Sequence, residues 1–116
     1  MLPKRMHISQ AATDKLKILK GRTGLTPNIV CRIALVRSLR EGARAGKKKV
    51  DQNGSEFIGT TLFGEQANVF EALLIQVHGP LDSKTLSQVI ASHIDDGLTA
   101  LMKAKSVAEL VEYGRW

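Results

Sequence analysis

The sequence predicts a compact, mainly α-helical single domain with at most one or two very short strands. Apolar residues recur at the 3–4-residue spacing of an amphipathic helix in four separate segments. Several of these segments begin at a capping residue and end at glycine. The 116 residues suffice for one modest core and contain no linker that would separate two domains, so we expect one domain over residues 1–116.

The first elements are a strand and a helix. Residues 4–8 alternate polar and apolar side chains, which predicts a very short strand. Ser9 is a good N-cap for a first helix that runs to about Lys20. Gly21 stands where a helix C-terminus favours a left-handed residue, and Gly24 closes the turn. The buried stripe of this helix would comprise Ala12, Leu16 and Leu19.

A second helix follows at once. Thr26 is a good N-cap, and Pro27 falls at the first helical position, where its missing N–H costs nothing. The helix is expected to end near Glu41, before Gly42. Its broad apolar face would comprise Ile29, Val30, Ile33, Ala34, Val36 and Leu39. Together the two helices predict a helix–turn–helix hairpin near the N-terminus.

The middle of the chain predicts a loop, a short strand and a helix. Residues 42–55 are polar and glycine-rich and carry a basic run, and loops of this length are commonly mobile or functional. Residues 56–62 favour a short strand or extended segment. Residues 66–78 predict a buried helix that stops at Gly79-Pro80.

Two further helices are predicted in the C-terminal part. Asp82 or Ser83 caps a long helix that runs to about Lys103, and Gly97 is a point at which it can bend. Ser106-Val-Ala-Glu109 is a capping box, which predicts a final short helix. That helix would bury Leu110 and Val111.

The charge of the chain is divided between its two halves. Residues 1–50 contain thirteen lysines and arginines and two acids. Residues 51–116 contain four lysines and arginines and nine acids. The whole chain has a net charge of +6. Because uncompensated positive charge destabilises a fold by self-repulsion, a polyanion such as duplex DNA or RNA is the first partner to consider. The alternative is that the basic half pairs with the acidic half of a neighbouring subunit.

Composition excludes several function classes. Three Phe, one Tyr and one Trp give little material for stacking on single-stranded nucleic acid, so duplex binding through phosphates suits the chain better. The single cysteine, Cys31, excludes an intrachain disulfide and a multi-cysteine metal or iron–sulfur site within one chain. No signal peptide is evident and no apolar run approaches about 18 residues, which predicts a cytosolic protein without a membrane span.

No catalytic residue, metal site or cofactor is expected. His7, His78 and His93 have no metal-ligand spacing, and the last two are predicted to be structural. Cys31 has no histidine nearby in sequence to activate it as a nucleophile. The chain contains neither a P-loop nor a dinucleotide fingerprint. A nuclease or nickase is therefore disfavoured.

The hairpin, residues 16–35, is similar to the helix–turn–helix core of ribbon–helix–helix proteins. In that fold a short N-terminal strand pairs with its dimer mate and enters the major groove of DNA. The ribbon here would direct Met6 and Ile8 toward the core. It would direct Arg5 and His7 toward the bases. The simpler alternative is an ordinary amphipathic hairpin, which needs the same glycine turn and Thr-Pro cap.

We expect the basic half to form a sequence-tolerant surface for the phosphates of duplex DNA. Lysines on a flexible loop suit this role because point charges on mobile stems contact phosphates without reading sequence, although a merely solvated loop is the alternative. Arg32, Arg37 and Arg40 are less suited, because they can pair with acids in a subunit interface. The predicted DNA-binding residues are Lys15, Lys17, Lys20, Arg22, Lys47, Lys48 and Lys49.

Two parts of the sequence resemble a known family. One is Leu19-Lys20-Gly21-Arg22-Thr23-Gly24-Leu25-Thr26-Pro27-Asn28 followed by Cys31-Arg32-Ile33-Ala34-Leu35. The other is Gly54-Ser55-Glu56-Phe57 leading into Thr61-Leu62-Phe63-Gly64-Glu65. In order and length, over nearly the whole chain, these features resemble the DndE family of accessory proteins in bacterial DNA phosphorothioation.

The resemblance implies a non-catalytic subunit that works beside DndC and DndD while sulfur replaces a non-bridging oxygen of the DNA backbone. It also implies a homo-oligomer, a tetramer, with affinity for duplex DNA including nicked DNA. Two alternatives stay open. One is a ribbon–helix–helix transcriptional repressor that reads a palindromic site, and the other is an adaptor that binds only proteins.

Overall fold

A computed structural model describes residues 2–113 of the chain. The described residues form two short strands and a set of helices, five of which are seven residues or longer. The strands are β1 (Arg5–His7) and β2 (Glu56–Ile58). The helices are α1 (Gln10–Thr23), α2 (Pro27–Arg40), α3 (Gly59–Phe63), α4 (Ala67–His78), α5 (Ser83–Leu101) and α6 (Val107–Tyr113). This architecture confirms the predicted mainly helical domain with very short strands.

The two strands form one antiparallel sheet within the chain. Met6 lies opposite Phe57 in the register, and both side chains are buried. Arg5 and His7 are exposed on the other face, as the alternation in residues 4–8 predicts. The pairing partner of β1 is therefore a strand of the same chain, whereas a ribbon–helix–helix ribbon would use the strand of a dimer mate.

Helix α1 is longer than predicted. Ser9 caps its start by accepting a hydrogen bond from the N–H of Ala12, as expected. The left-handed C-cap is Gly24 (φ 75°), whose N–H donates to the carbonyl of Lys20 at 2.8 Å. Gly21 lies inside the helix, and the prediction that it ends the helix was wrong. A helical glycine costs only about 1 kcal/mol relative to alanine, which one further turn of hydrogen bonds offsets.

The core is built around the crossing of α2 and α5, the two most extensively packed helices. At Gly97 the backbones approach so closely that a Cβ atom would overlap the carbonyl oxygen of Ala34. This close approach explains why a glycine stands at this position. The largest fully buried side chains include Ile8, Leu19, Leu35, Leu62, Phe63, Leu74, Ile90, Ile94, Leu98, Leu101 and Leu110.

The strand predicted over residues 56–62 is shorter than expected. It ends at Ile58, and the two threonines that favoured a strand lie in α3. Arg32 on α2 donates from Nε to the carbonyl of Leu62 at 2.6 Å and from Nη2 to that of Thr61 at 2.9 Å. These charged hydrogen bonds satisfy carbonyls at the end of α3, which stabilises the helical turn over the local strand preference.

Two predictions of burial were too broad. Helix α4 occupies the predicted segment and buries Phe70 and Leu74, but Val69 and Ile75 are about half exposed, at 53% and 49%. The helix packs one side against α2 and α3, and these two apolar side chains lie on its outward side, where Asn68 and Gln76 are also exposed. In α6, Leu110 is buried as expected, whereas Val111 is exposed.

Candidate nucleic-acid interface

The basic residues of α1 lie on two opposite sides of that helix. At 100° per residue, Lys17 and Lys20 are about 60° apart on one flank of the buried stripe. Lys15 and Arg22 are about 20° apart on the other flank. Lys17, Lys20 and Arg22 are exposed, and Lys15 is half-buried. A single straight DNA duplex cannot contact both flanks of α1 in one protomer with equal ease.

Lys17 and Lys20 border a groove of about 480 Å³ between α1, the start of α2 and the β2–α3 segment. We call it the lysine groove. Its other lining residues are Thr13, Leu16, Pro27, Asn28, Ser55, Glu56, Phe57, Ile58 and Thr61. The N-terminus of α2 opens toward it, and among the described residues the Thr26 side chain makes no capping hydrogen bond to that helix. Two cations and a helix N-terminus together favour an anion at the groove.

Lys47, Lys48 and Lys49 form a second basic site, which we call the lysine loop. All three side chains are exposed. The loop is anchored to the fold: residues Ala45–Lys47 form a 3₁₀ turn packed on α5, and the Ser92 hydroxyl donates to the carbonyl of Lys48. Further along, Asp51 accepts a hydrogen bond from the N–H of Gln10 at the start of α1. The loop is thus held at both ends.

The two lysine sites lie near opposite ends of α2. The lysine groove includes Pro27 and Asn28 at the N-terminus of that helix. Lys48 instead lines a cavity of about 600 Å³ together with Arg37 and Glu41, which lie near the C-terminus of α2. Since α2 has 14 residues, the two sites are about 20 Å apart along its axis. The seven predicted DNA-binding residues therefore form three groups rather than one continuous patch.

Arg22 has a structural role in addition to its charge. Its Nη1 donates to the carbonyl of Met102 at 2.8 Å and to that of Ala104 at 3.3 Å. These carbonyls follow the last residue of α5, so the guanidinium joins the end of α1 to the end of α5. Among the described hydrogen bonds, Arg22 is the one predicted DNA-binding residue whose side chain donates to backbone carbonyls of the same chain.

The two residues that the repressor alternative would use are paired with an acid. Arg5 Nη1 lies 3.4 Å and His7 Nε2 lies 3.8 Å from the carboxylate of Glu56 on the adjacent strand. A carboxylate beside both side chains repels the backbone of DNA. This arrangement counts against base reading by β1.

A polar cluster around the buried Ser38 and His93, which sequence spacing did not reveal, lies beneath the lysine loop. His78 Nε2 and His93 Nε2 are 2.7 Å apart, His93 Nδ1 is 2.8 Å from the Ser38 hydroxyl, and that hydroxyl donates to Asp96 at 2.8 Å. Because Ser38 donates to Asp96, His93 donates from Nδ1 to Ser38 and accepts at Nε2 from His78. Gly46 of the loop abuts both imidazole rings, and a Cβ there would collide with them.

Both histidines of this cluster are held neutral. Burial and, to a smaller extent, the neighbouring His78 lower the pKa of His93 to about 4, although Asp96 acts to raise it. Burial and the nearby charge of Lys47 lower the pKa of His78. The two residues are joined by a direct hydrogen bond, so their prediction as structural side chains agrees with the geometry.

The structure also describes the single cysteine, the groups that could bind a metal ion and the length of the helices. Cys31 is buried, and burial raises the pKa of its thiol to about 12, so it is not a nucleophile. Within residues 2–113 no three histidine, cysteine or carboxylate side chains group in a way that could hold a metal ion. In the same part of the chain, no helix has both the length and the apolar character needed to cross a bilayer.

Comparison with known proteins gives one consistent result. The sequence model of the family described as "DNA sulphur modification protein DndE" matches residues 5–109. A crystal structure of DndE from Escherichia coli B7A, involved in DNA phosphorothioation modification, is 36% identical with a TM-score of 0.78, covering 87% of this chain and 100% of that one. A crystal structure of a DndE G21/24K mutant involved in DNA phosphorothioation is 33% identical with a TM-score of 0.76, covering 86% and 98%. No curated protein matches the chain.

Proposed function

The chain belongs to the DndE family of DNA sulphur modification proteins, and from that membership we propose that it is a non-catalytic DNA-binding subunit of a phosphorothioation system. It binds duplex DNA, including nicked duplex, through the phosphate backbone. It acts in the cytoplasm, needs no cofactor of its own, and works beside the DndC and DndD proteins. The sulfur chemistry belongs to those other subunits.

The observation that carries this proposal is the lysine groove. Lys17 and Lys20 are exposed at the edge of a groove that also receives the N-terminus of α2. Side-chain cations and unsatisfied backbone N–H groups that converge on one space are the usual means of holding a phosphate. The exposed lysine loop adds a second cationic site about 20 Å away along α2. Two separated phosphate contacts suit a duplex better than a small anion.

We further propose that the protein assembles as a homotetramer. Val69 and Ile75 leave about half of their apolar surface exposed on the outer side of α4. Exposed apolar faces of this kind on a small domain are commonly covered by another subunit. The mass of the purified protein, measured by light scattering, tests this directly, and a monomer of 12.7 kDa would contradict it.

DNA binding is tested with intact and nicked duplexes of random sequence across about 50 to 200 mM salt. In this range the logarithm of the binding constant falls by about 0.9 for each phosphate contact per log unit of salt. Replacing Lys17 and Lys20 by alanine should therefore reduce the slope by up to about 2. Replacing Lys47, Lys48 and Lys49 should reduce it by up to about 3.

The matched control changes Lys103 and Lys105 to alanine. Both are exposed, and both lie in the acidic half of the chain. This variant loses the same charge as the groove variant and should keep the full slope. No binding of wild-type protein at low salt would leave the protein-only adaptor as the function. A preference of about 10³ or more for one sequence would indicate a repressor instead.

A further inference from the structure

The lysine groove has the construction of a site for a small aromatic ligand with an attached phosphate. Its inner surface is largely apolar and includes Leu16, Pro27 and Phe57. Its volume of about 480 Å³ lies within the range of small-molecule sites, roughly 300–1,000 Å³. Asn28 and the hydroxyl of Thr61 supply polar groups along the wall. In small-molecule sites, a few polar groups around an apolar floor fix the orientation of the ligand.

Charge at the groove favours an anionic group at one edge. Lys17 and Lys20 are three residues apart on α1, so their Cβ atoms lie about 5–6 Å from each other and both ammonium groups can reach one phosphate. The one acid in the lining is Glu56. Its carboxylate is directed to Arg5 at 3.4 Å and to His7 at 3.8 Å, and Arg5 partly neutralises it.

We propose that the lysine groove holds a single nucleotide that has left the base stack at a nick in duplex DNA. The base lies on the apolar floor, and the terminal phosphate lies between Lys17 and Lys20. In an intact duplex a base must break both its pairing and its stacking on two sides before it can leave the helix. At a nick the backbone constraint on one side is absent, so extrusion costs less. The inference rests on the DNA binding proposed above and adds a reason for nicked DNA to be preferred.

The experiment uses the full chain and duplexes that carry 2-aminopurine, whose fluorescence rises on unstacking, directly beside a nick or at the same position of an intact duplex. Thr61→Leu fills the groove with a branched side chain while it leaves both lysines in place. Thr60→Leu is the matched control, because Thr60 is exposed on the same helical turn and does not line the groove. Free 2-aminopurine deoxynucleotide monophosphate provides a separate arm.

With wild-type protein and the Thr60→Leu variant, we expect fluorescence at the nick to rise while the intact duplex changes little. Thr61→Leu should abolish that rise and weaken binding to nicked duplex about tenfold more than binding to intact duplex, which is the size of one lost base contact. Unchanged fluorescence at saturating wild-type protein, or equal affinity of the two variants for nicked DNA, would overturn the inference.

Failure of the general proposal looks different from failure of this one. If wild-type protein binds neither duplex at low salt, DNA binding itself is refuted and the groove inference falls with it. If intact and nicked duplexes bind equally and salt-dependently while fluorescence stays unchanged, DNA binding holds and the groove inference alone is refuted. Tight binding of the free nucleotide, with no preference for the nick, would assign the groove to free nucleotides and contradict the inference.

Discussion

The paired histidines show how single residues fix the position of the lysine loop. His78 and His93 are fifteen positions apart in sequence, yet their Nε2 atoms are 2.7 Å apart and Gly46 packs directly on both rings. Through this contact the neutral histidines support the turn that presents the lysine loop. Two imidazoles that share one hydrogen bond cannot both be protonated without repulsion.

The free energy of unfolding should therefore depend on pH through His93. Its pKa is lowered from 6.5 to about 4 on folding, so the unfolded state binds the proton more tightly. The stabilisation is complete above pH 6.5 and is lost as the pH falls toward 4, with about 2 kcal/mol lost by pH 5. Urea unfolding of wild-type protein at pH 7, 6 and 5 measures this loss.

A His93→Asn variant is the control for that measurement. It should be less stable at pH 7 but should lose less stability between pH 7 and 5. The capping carboxylates of Asp51 and Asp82 do not confuse the result, because their hydrogen bonds lower their pKa below 3.8 and they titrate under this window. Equal pH dependence in variant and wild type would contradict the assignment.

Two helical glycines should respond in opposite ways to the same change. Gly97→Ala places a Cβ against the carbonyl of Ala34, so it should lower the free energy of unfolding by about 3 kcal/mol, at the upper end of overpacking effects. Gly21→Ala meets no atom within 4 Å and should raise it by about 0.5–1 kcal/mol, because alanine loses less backbone entropy in a helix. Urea titration of both variants checks the pair, and destabilisation by Gly21→Ala would contradict it.

At the scale of elements, sequence patterns located the helices well and their ends less well. Caps such as Ser9 and Asp82 act through neighbouring backbone atoms, so they are visible in the sequence and both are confirmed. The end of α1 was misplaced because two glycines, Gly21 and Gly24, offered the same local signal. A tertiary contact decides between the two glycines as the end of the helix, because α1 must continue far enough for Arg22 to reach the end of α5.

The candidate site was predictable in composition but not in arrangement. The charge division identified the lysines of the first half as unusual, and the structure places all of them in exposed positions except Lys15, which is half-buried. Their division between two flanks of α1 follows from helical periodicity. The distance of the lysine loop from α1 instead depends on how α2 crosses α5, which no local pattern encodes. The contact of His78 with His93 depends on the same crossing.

Arg22 and Lys20 should therefore differ although both were predicted to bind DNA. Arg22→Ala removes two hydrogen bonds that join α1 to the end of α5, and should lower the free energy of unfolding by about 1 kcal/mol, given that this side chain is exposed. Lys20→Ala should leave stability unchanged and reduce the salt slope of DNA binding by about 1. Unfolding and binding of both variants must be measured together. An Arg22→Ala variant of normal stability with weakened DNA binding would make Arg22 a phosphate contact instead.

At the scale of the whole molecule, the DNA binding proposed above predicts a minimum length of duplex, because the lysine groove and the lysine loop are separated. The two sites are about 20 Å apart along α2, which corresponds to about six base pairs at 3.4 Å each. The longest dimension of the molecule, 36 Å, corresponds to about ten base pairs. A duplex shorter than the first length can contact either site but not both.

The effect of the lysine loop should consequently depend on duplex length. On a hairpin-closed duplex of about 5 base pairs, replacing Lys47, Lys48 and Lys49 by alanine should change affinity little, because Lys17 and Lys20 in the groove already hold that DNA. On duplexes of about 10 and 15 base pairs the same replacement should lower both affinity and salt slope. If its effect is equal at every length, the loop and the groove contact separate duplexes, and the two lysine sites would then serve different DNA segments brought together by the assembled subunits.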